Sequence, residues 1–161
     1  MLDALDGMDD LDTVSAQDQA QRAFASAQQS WGEALAAHRL APADAGFSAR
    51  LAALASAASR EAGACRAAAE AGFAWPPHRA ADSGPPYELR PESGRRGPPE
   101  LWLRFDDAAG ALSRAATGSD LRVVASAYDE VADVAAGLAA AVEQDDRSSG
   151  RLVQRRARRS A

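Results

Sequence analysis

The stretch 121–142, LRVVASAYDEVADVAAGLAAAV, carries the clearest structural signal in this chain. Its apolar residues recur at alternating steps of three and four, which places them on one face of an α-helix. A helix with such a stripe is stable only when other helices cover it. The stretch therefore predicts a helix packed in a bundle, and the stripe consists of Leu121, Val124, Tyr128, Val131, Ala135, Leu138 and Val142.

Three more helices are predicted before this one, over residues 13–40, 44–72 and 99–117. Asp44 and Ser119 are the expected N-caps of the second and fourth helices, and Pro99 fits the first turn of the third. The fourth helix is expected to end near residue 146. The expected apolar faces contain Val14, Phe24, Trp31 and Leu35 in the first helix, Phe47, Leu51, Leu54, Ala58, Cys65 and Ala69 in the second, and Leu101, Trp102, Phe105, Ala108, Ala109 and Leu112 in the third.

A second ridge of small residues follows the second helix at steps of four. Small side chains at this spacing allow two helices to approach closely. The ridge therefore predicts a close helix contact, and its members are Ala55, Ser59, Gly63, Ala67 and Ala71.

Residues 73–98 interrupt the helical pattern with six prolines and several arginines. They divide the four helices into two hairpins, so the predicted fold is an all-α four-helix bundle with a long Pro/Arg-rich crossover. Alanine, with 42 of the 161 residues, favours the same fold because it has the highest helix propensity. Residues 13–146 are expected to form a single domain.

Charge is concentrated at both ends of the chain. Residues 1–12 contain five aspartates and no basic residue, whereas residues 147–161 contain six arginines and no acidic residue. Charged runs with few large apolar residues bury little surface. We therefore predict an acidic N-terminal tail and a basic C-terminal tail.

Several classes of chemistry lack their motifs in this sequence. There is no lysine for a P-loop, and no HExxH, CxxC, GxGxxG or GxSxG motif. Cys65 lies on an apolar stripe and is expected to be a buried, unreactive thiol. His38 is expected to be partly exposed near the C-terminal end of the first helix. The sequence thus predicts a protein that is not an enzyme and has no cofactor and no metal site.

The crossover and its borders combine aromatic residues with arginines, a composition typical of binding hot spots. An alternative is that the aromatic residues close the end of the bundle where the chain crosses over. The predicted partner-binding residues are Trp75, His78, Arg79, Tyr87, Arg90, Arg95, Arg96 and Trp102.

The basic C-terminal segment suggests a second mode of binding. Arginines that neutralise nucleic-acid phosphates release counterions, which gives weak, salt-sensitive binding without sequence preference. The segment could instead solubilise the protein or contact the acidic N-terminal segment or the acidic body. The residues of the nucleic-acid hypothesis are Arg151, Arg155, Arg156, Arg158 and Arg159.

Taken together, these features predict a non-enzymatic helical interaction protein, a regulator or adaptor that binds a protein partner or itself as a homodimer. The alternative is a nucleic-acid-associated protein that binds weakly through its C-terminal arginines. No apolar stretch is long enough for a transmembrane helix, and residues 1–12 are acidic where a signal peptide is basic. We therefore expect no membrane association and a cytoplasmic location.

Overall fold

In a computed structural model, the chain is described at residues 3–40, 46–72 and 95–160, with side chains described at 16–38 of the first range. These residues form no strand but four helices: α1 (Asp3–Leu40), α2 (Phe47–Glu70), α3 (Pro99–Ala116) and α4 (Leu121–Arg159). α2 packs against α1 and α4, and α3 packs against α4. The predicted all-α four-helix bundle is confirmed.

Contacts at the two ends of the bundle establish the direction of each helix. Gln17 in α1 donates a 3.0 Å hydrogen bond from Nε2 to the carbonyl oxygen of Ala71, just after α2. At the other end, the ring of His38 lies near the rings of Phe47 and Trp102. We call this the aromatic end, defined by these three residues. α1 therefore runs towards the aromatic end, whereas α2 and α3 begin there.

Two ion pairs place α4 in the same frame. Near its start, Asp129 pairs with Arg66 of α2, and near the aromatic end Asp146 pairs with Arg96. α4 thus runs parallel to α1 and antiparallel to α2 and α3. Gly72 and Arg95 lie at opposite ends of the bundle. Most of the predicted crossover between them, residues 73–94, lies outside the described residues.

Alanines line the contacts between the helices, and a small number of large side chains fill the core. α2 and α4 form the most extensive contact, and both carry many buried alanines. Small side chains allow helix axes to come near the lower end of the usual range of about 8–10 Å. The whole predicted stripe of α4 is buried, as are Phe24, Trp31 and Leu35 of α1. The predicted packing faces are therefore confirmed at these positions.

Two local predictions are wrong. The N-cap of α4 is Asp120 and not Ser119, because the Asp120 side chain accepts a 3.0 Å hydrogen bond from the backbone N–H of Arg122. The ridge of small residues on α2 is mainly exposed, with Ser59, Gly63 and Ala67 facing solvent. The buried residues of α2 lie on the neighbouring face, which also carries the large apolar residues. Asp44 lies outside the described residues, and the N-cap of α2 is Gly46.

The charged ends of the chain belong to long helices. α1 begins at Asp3, and α4 continues to Arg159. Acidic residues at the start of a helix and basic residues at its end interact favourably with the helix dipole, and arginine has high helix propensity. The segments predicted as tails thus contain helical extensions of α1 and α4.

Three helical glycines offer a test of the packing. At Gly32, Gly63 and Gly137 an added Cβ atom would meet no atom of the surrounding structure within 4 Å. Alanine at an uncrowded helical position stabilises by about 0.5–1 kcal/mol, mainly because it restricts the unfolded chain. The triple variant Gly32→Ala, Gly63→Ala, Gly137→Ala is expected to raise the free energy of unfolding by about 1.5–3 kcal/mol in urea denaturation followed by circular dichroism.

Gly97 provides the control of opposite sign. Its φ is +110°, and an added Cβ atom would lie 3.3 Å from the side chains of both Leu138 and Val142. Backbone strain and crowding are together expected to lower the stability of Gly97→Ala by about 1–3 kcal/mol. A gain in stability at Gly97, or a loss in the triple variant, would contradict this description of the helix contacts.

Candidate functional site

The last part of α4 projects beyond the bundle as an exposed helix. Asp146 is half-buried and pairs with Arg96. Within the described ranges, no later residue of α4 forms an ion pair with another helix or with the segment before α3. From Arg147 to Arg159 every residue is exposed. We call residues 147–159 the α4 extension. Because none of its side chains is buried, packing in the bundle core does not account for the residue types of this segment.

One side of the α4 extension carries a row of arginines. Arg147, Arg151, Arg155 and Arg158 follow steps of four, four and three, which place them on one helix face. Arg147 donates a 2.7 Å hydrogen bond to Glu143 one turn earlier. Within the described parts of the chain, no ion pair involves the other five arginines of the extension. Their charge is therefore available to an acidic partner.

The α4 extension also carries two adjacent aliphatic residues outside this arginine row. Leu152 is 60% exposed and Val153 is 67% exposed. Arg156 follows Leu152 by four residues and Val153 by three, so an arginine lies next to the aliphatic pair on the same side of the helix. Single exposed apolar residues are common on protein surfaces. An adjacent pair on a projecting helix with a basic face, however, is suited to binding that combines charge with apolar contact.

The three predicted partner-binding residues that the structure describes, Arg95, Arg96 and Trp102, lie at or next to the aromatic end. Arg95 donates two hydrogen bonds of 2.9 Å to Asp106, and its guanidinium carbon lies 5.0 Å from the centre of the Trp102 ring. Trp102 is only 4% exposed, and its Nε1 donates a 2.8 Å hydrogen bond to the carbonyl oxygen of Arg96. The Arg96 guanidinium carbon lies 6.0 Å from the centre of the Phe47 ring.

These contacts attach the start of α3 to α2 and α4. Paired arginines over buried rings stabilise the bundle whether or not a partner binds. The geometry thus agrees with the alternative that aromatic residues close this end, and a role of Arg95, Arg96 and Trp102 in partner binding stays a prediction. The other predicted partner-binding residues, Trp75, His78, Arg79, Tyr87 and Arg90, lie outside the described residues.

His38 is buried, and the prediction of a partly exposed side chain is wrong. Its ring centre lies 5.7 Å from that of Phe47 and 6.3 Å from that of Trp102, and it is nearly parallel to the Trp102 ring. Phe47 and Trp102 belong to other helices that begin at the aromatic end and cover the last turn of α1. Its position in the aromatic cluster indicates a packing role.

Glu61 is a buried acidic residue outside the predicted set of core residues. It is fully buried in α2, and neither of its carboxyl oxygens forms a hydrogen bond with a residue that the structure describes. Burial raises the pKa of its carboxyl group from 4.5 to about 8. At neutral pH the group is therefore mainly protonated, which avoids burying an isolated charge.

Cys65 and Tyr128 belong to the same buried cluster. Burial, followed by the negative charge of Glu61, raises the pKa of the Cys65 thiol to about 12. Burial, followed by Glu61 and Cys65, also raises the pKa of the Tyr128 hydroxyl well above 10. The buried thiol is confirmed, and because its thiolate is disfavoured it is a poor nucleophile. All three groups favour their neutral forms, so the cluster affects stability.

A signal for Glu61 was present in the sequence. The predicted stripe of α2 advances from Ala58 to Cys65 in one step of seven. Two steps of three and four cover the same distance and pass through Glu61, on the same helix face. The stripe was defined by apolar residues, and the glutamate at its centre was not included.

A shallow groove follows α2 and α4 on the outside of the bundle. Its volume is about 490 Å³, and most of its lining is small and apolar. It does not combine an apolar enclosure with converging polar groups, as ligand sites usually do. The lining residues are Ser48, Ala49, Ala52, Ala55, Ser56, Ala136, Ala139, Ala140 and Glu143.

Comparison with known proteins gives no family for this chain. It matches no protein-family model and has no significant similarity to a curated protein or a solved structure. Over the described ranges, no three His, Cys, Asp or Glu side chains are grouped as they would be to hold a metal ion. No helix in these ranges has the length and apolar character needed to span a membrane.

Proposed function

We propose that this chain is a non-enzymatic helical interaction protein, a regulator or adaptor, and that the α4 extension is its main contact element. The observation that carries the proposal is the exposure of this whole helical segment together with its combination of basic and apolar side chains. Six arginines are exposed along the segment, and Leu152 and Val153 are exposed beside Arg156. A helix with both features is suited to bind a groove, or another helix, that offers acidic and apolar side chains.

The aliphatic pair favours a protein partner over nucleic acid. A phosphate backbone would use the arginines but would leave Leu152 and Val153 in water. The extension contains no aromatic residue on which a base could stack. Residues 13–146 carry a formal charge of −6, which would repel nucleic acid from the bundle. We place the interaction in the cytoplasm, where the single thiol of the chain stays reduced.

Site-specific photo-crosslinking tests the proposal. A photoreactive phenylalanine analogue placed at Leu152 or Val153 is expected to give covalent adducts with a defined protein in the native host, identified by mass spectrometry. The control is the same analogue at Leu103 of α3, which is 66% exposed and therefore equally accessible. Adducts at the control position equal to those at the extension, or none at either position, would contradict the proposal.

Nucleic-acid binding remains the second candidate because five arginines of the extension have no ion pair in the described structure. A gel-shift assay at low salt, with duplex DNA and single-stranded RNA, compares the wild type with a variant in which Arg151, Arg155, Arg156, Arg158 and Arg159 are all glutamine. We expect no shift that depends on these arginines. A shift of the wild type that the variant loses, and that weakens steeply with salt, would favour the nucleic-acid function instead.

The undescribed part of the crossover is a second proposed contact region. Trp75 and Tyr87 combine large contact area with few rotatable bonds, as hot-spot residues do. Alanine at both positions is expected to weaken capture of the partner found by crosslinking at the extension. Unchanged capture would restrict the interaction to the extension.

A further inference from the structure

The two charged ends of this chain complement each other but lie far apart in one molecule. Residues 1–12 carry a formal charge of −5, and residues 147–161 carry +6. Both segments contain helix, since α1 begins at Asp3 and α4 ends at Arg159. Segments of opposite charge attract each other when they come close together.

The direction of the helices prevents this attraction from being satisfied within one bundle. α1 and α4 run parallel. The start of α1 precedes Gln17, which contacts Ala71 at the end opposite the aromatic end. The α4 extension leaves the bundle after Asp146, at the aromatic end. At 1.5 Å per residue, residues 17–38 alone separate the two ends by about 30 Å, which is several Debye lengths at physiological salt.

We infer that the partner of the α4 extension is a second copy of this chain, whose acidic α1 start docks against the extension head to tail. This inference rests on the proposed function and names its partner. Leu152 and Val153 would add apolar contact, and the acidic segment itself contains apolar residues, among them Leu5, Met8 and Leu11. Each bundle then contributes its acidic α1 start to one contact and its basic α4 extension to another.

A head-to-tail contact has a specific consequence for assembly. Because the two contacting surfaces differ, each added copy leaves one acidic and one basic end free. Such contacts produce open chains, or rings when the rotation closes. The assembly therefore grows with concentration and weakens with salt, whereas a dimer with twofold symmetry would stop at two copies.

Charge reversal tests the inference by sedimentation velocity of the full chain at low and high salt. The acid-reversed variant carries Asp3→Arg, Asp6→Arg and Asp10→Arg, and the base-reversed variant carries Arg151→Glu, Arg155→Glu and Arg158→Glu. Each variant alone is expected to self-associate at least about tenfold more weakly than the wild type. An equimolar mixture of the two is expected to associate again, because the acid-reversed variant keeps the basic α4 extension and the base-reversed variant keeps the acidic α1 start.

The control variant reverses three exposed arginines elsewhere, with Arg104→Glu, Arg114→Glu and Arg122→Glu. It is expected to associate like the wild type, and circular dichroism reports whether each variant keeps its helices. A monomeric wild type at all concentrations and salt conditions would overturn the inference, as would association that neither reversal weakens or a mixture that stays monomeric. The proposed function fails separately, when Leu152 and Val153 crosslink to no protein at all.

Discussion

Replacing Glu61 with methionine is expected to raise the free energy of unfolding by roughly 3 kcal/mol at pH 7. Glu61 is fully buried without a hydrogen-bond partner among the described residues, and its carboxyl pKa is raised to about 8. Methionine has a similar length, is unbranched and adapts to irregular core space. The variant therefore removes the cost of burying an acid and leaves the surrounding packing largely intact.

The gain is expected to depend on pH with a defined sign. The pKa of Glu61 is higher in the folded chain, about 8, than its ordinary value of 4.5. Between these values the folded state retains a proton that the unfolded state has released, so wild-type stability falls as the pH rises. Below about pH 4.5 the Glu61 carboxyl is protonated in both the folded and the unfolded state, so burial of this group no longer lowers stability through its titration. From pH 5 to pH 8.5 the advantage of Glu61→Met is expected to grow by roughly 3–4 kcal/mol.

Urea denaturation of the wild type and two variants at pH 5, 7 and 8.5 measures this effect. Glu61→Gln keeps the shape and polarity of the side chain but does not titrate, so it should match the wild type near pH 5 and exceed it at pH 8.5. Glu130→Leu changes an exposed glutamate of α4 and is expected to alter stability by less than about 0.5 kcal/mol. The burial of Glu61 would be disproved by an advantage of Glu61→Met that is equal at all three pH values.

Trp102→Ala is expected to lower the free energy of unfolding by about 3–5 kcal/mol, the largest loss from any single change considered for this chain. The indole is almost fully buried and contacts the rings of His38, Phe47 and Phe105. Its removal leaves a cavity at the aromatic end. The substitution also leaves the carbonyl oxygen of Arg96 without its hydrogen-bond donor and Arg95 without the ring beneath it.

Two further substitutions separate these contributions in thermal and urea denaturation. Trp102→Phe keeps an aromatic ring but removes the Nε1 donor, and an intermediate loss of about 1–2 kcal/mol is expected. Leu103→Ala changes the next residue of α3, which is 66% exposed, and is expected to cost less than about 0.5 kcal/mol. Equal losses at Trp102 and Leu103 would contradict the burial of the indole.

The fold was predictable to a large extent because the pattern of α4 is local. Its apolar stripe from Leu121 to Val142 is fully buried, as its spacing predicts. Gly63, by contrast, belongs to a ridge with equally regular spacing and is exposed. A helix built largely of alanine has more than one face that could pack. Only the position of the neighbouring helices decides which face does.

The candidate site was only partly predictable. Composition identifies the arginines of the α4 extension, but their exposed helical arrangement and the exposure of Leu152 and Val153 required the structure. Arg95 and Trp102 belong to the predicted partner-binding residues, but composition does not distinguish an internal contact from a binding surface. Their internal partners are Asp106, one turn after Trp102 in α3, and Arg96, which pairs with α4.

The sequence by itself determined that the chain forms four helices and where the apolar stripe of α4 lies. Helix formation depends on residues within a few turns of one another, so spacing and propensity are sufficient. Only the tertiary structure decided that His38 and Glu61 are buried and that the acidic and basic ends point in opposite directions. Burial and direction depend on which distant segments pack together, and the residues of a single helix do not contain that information.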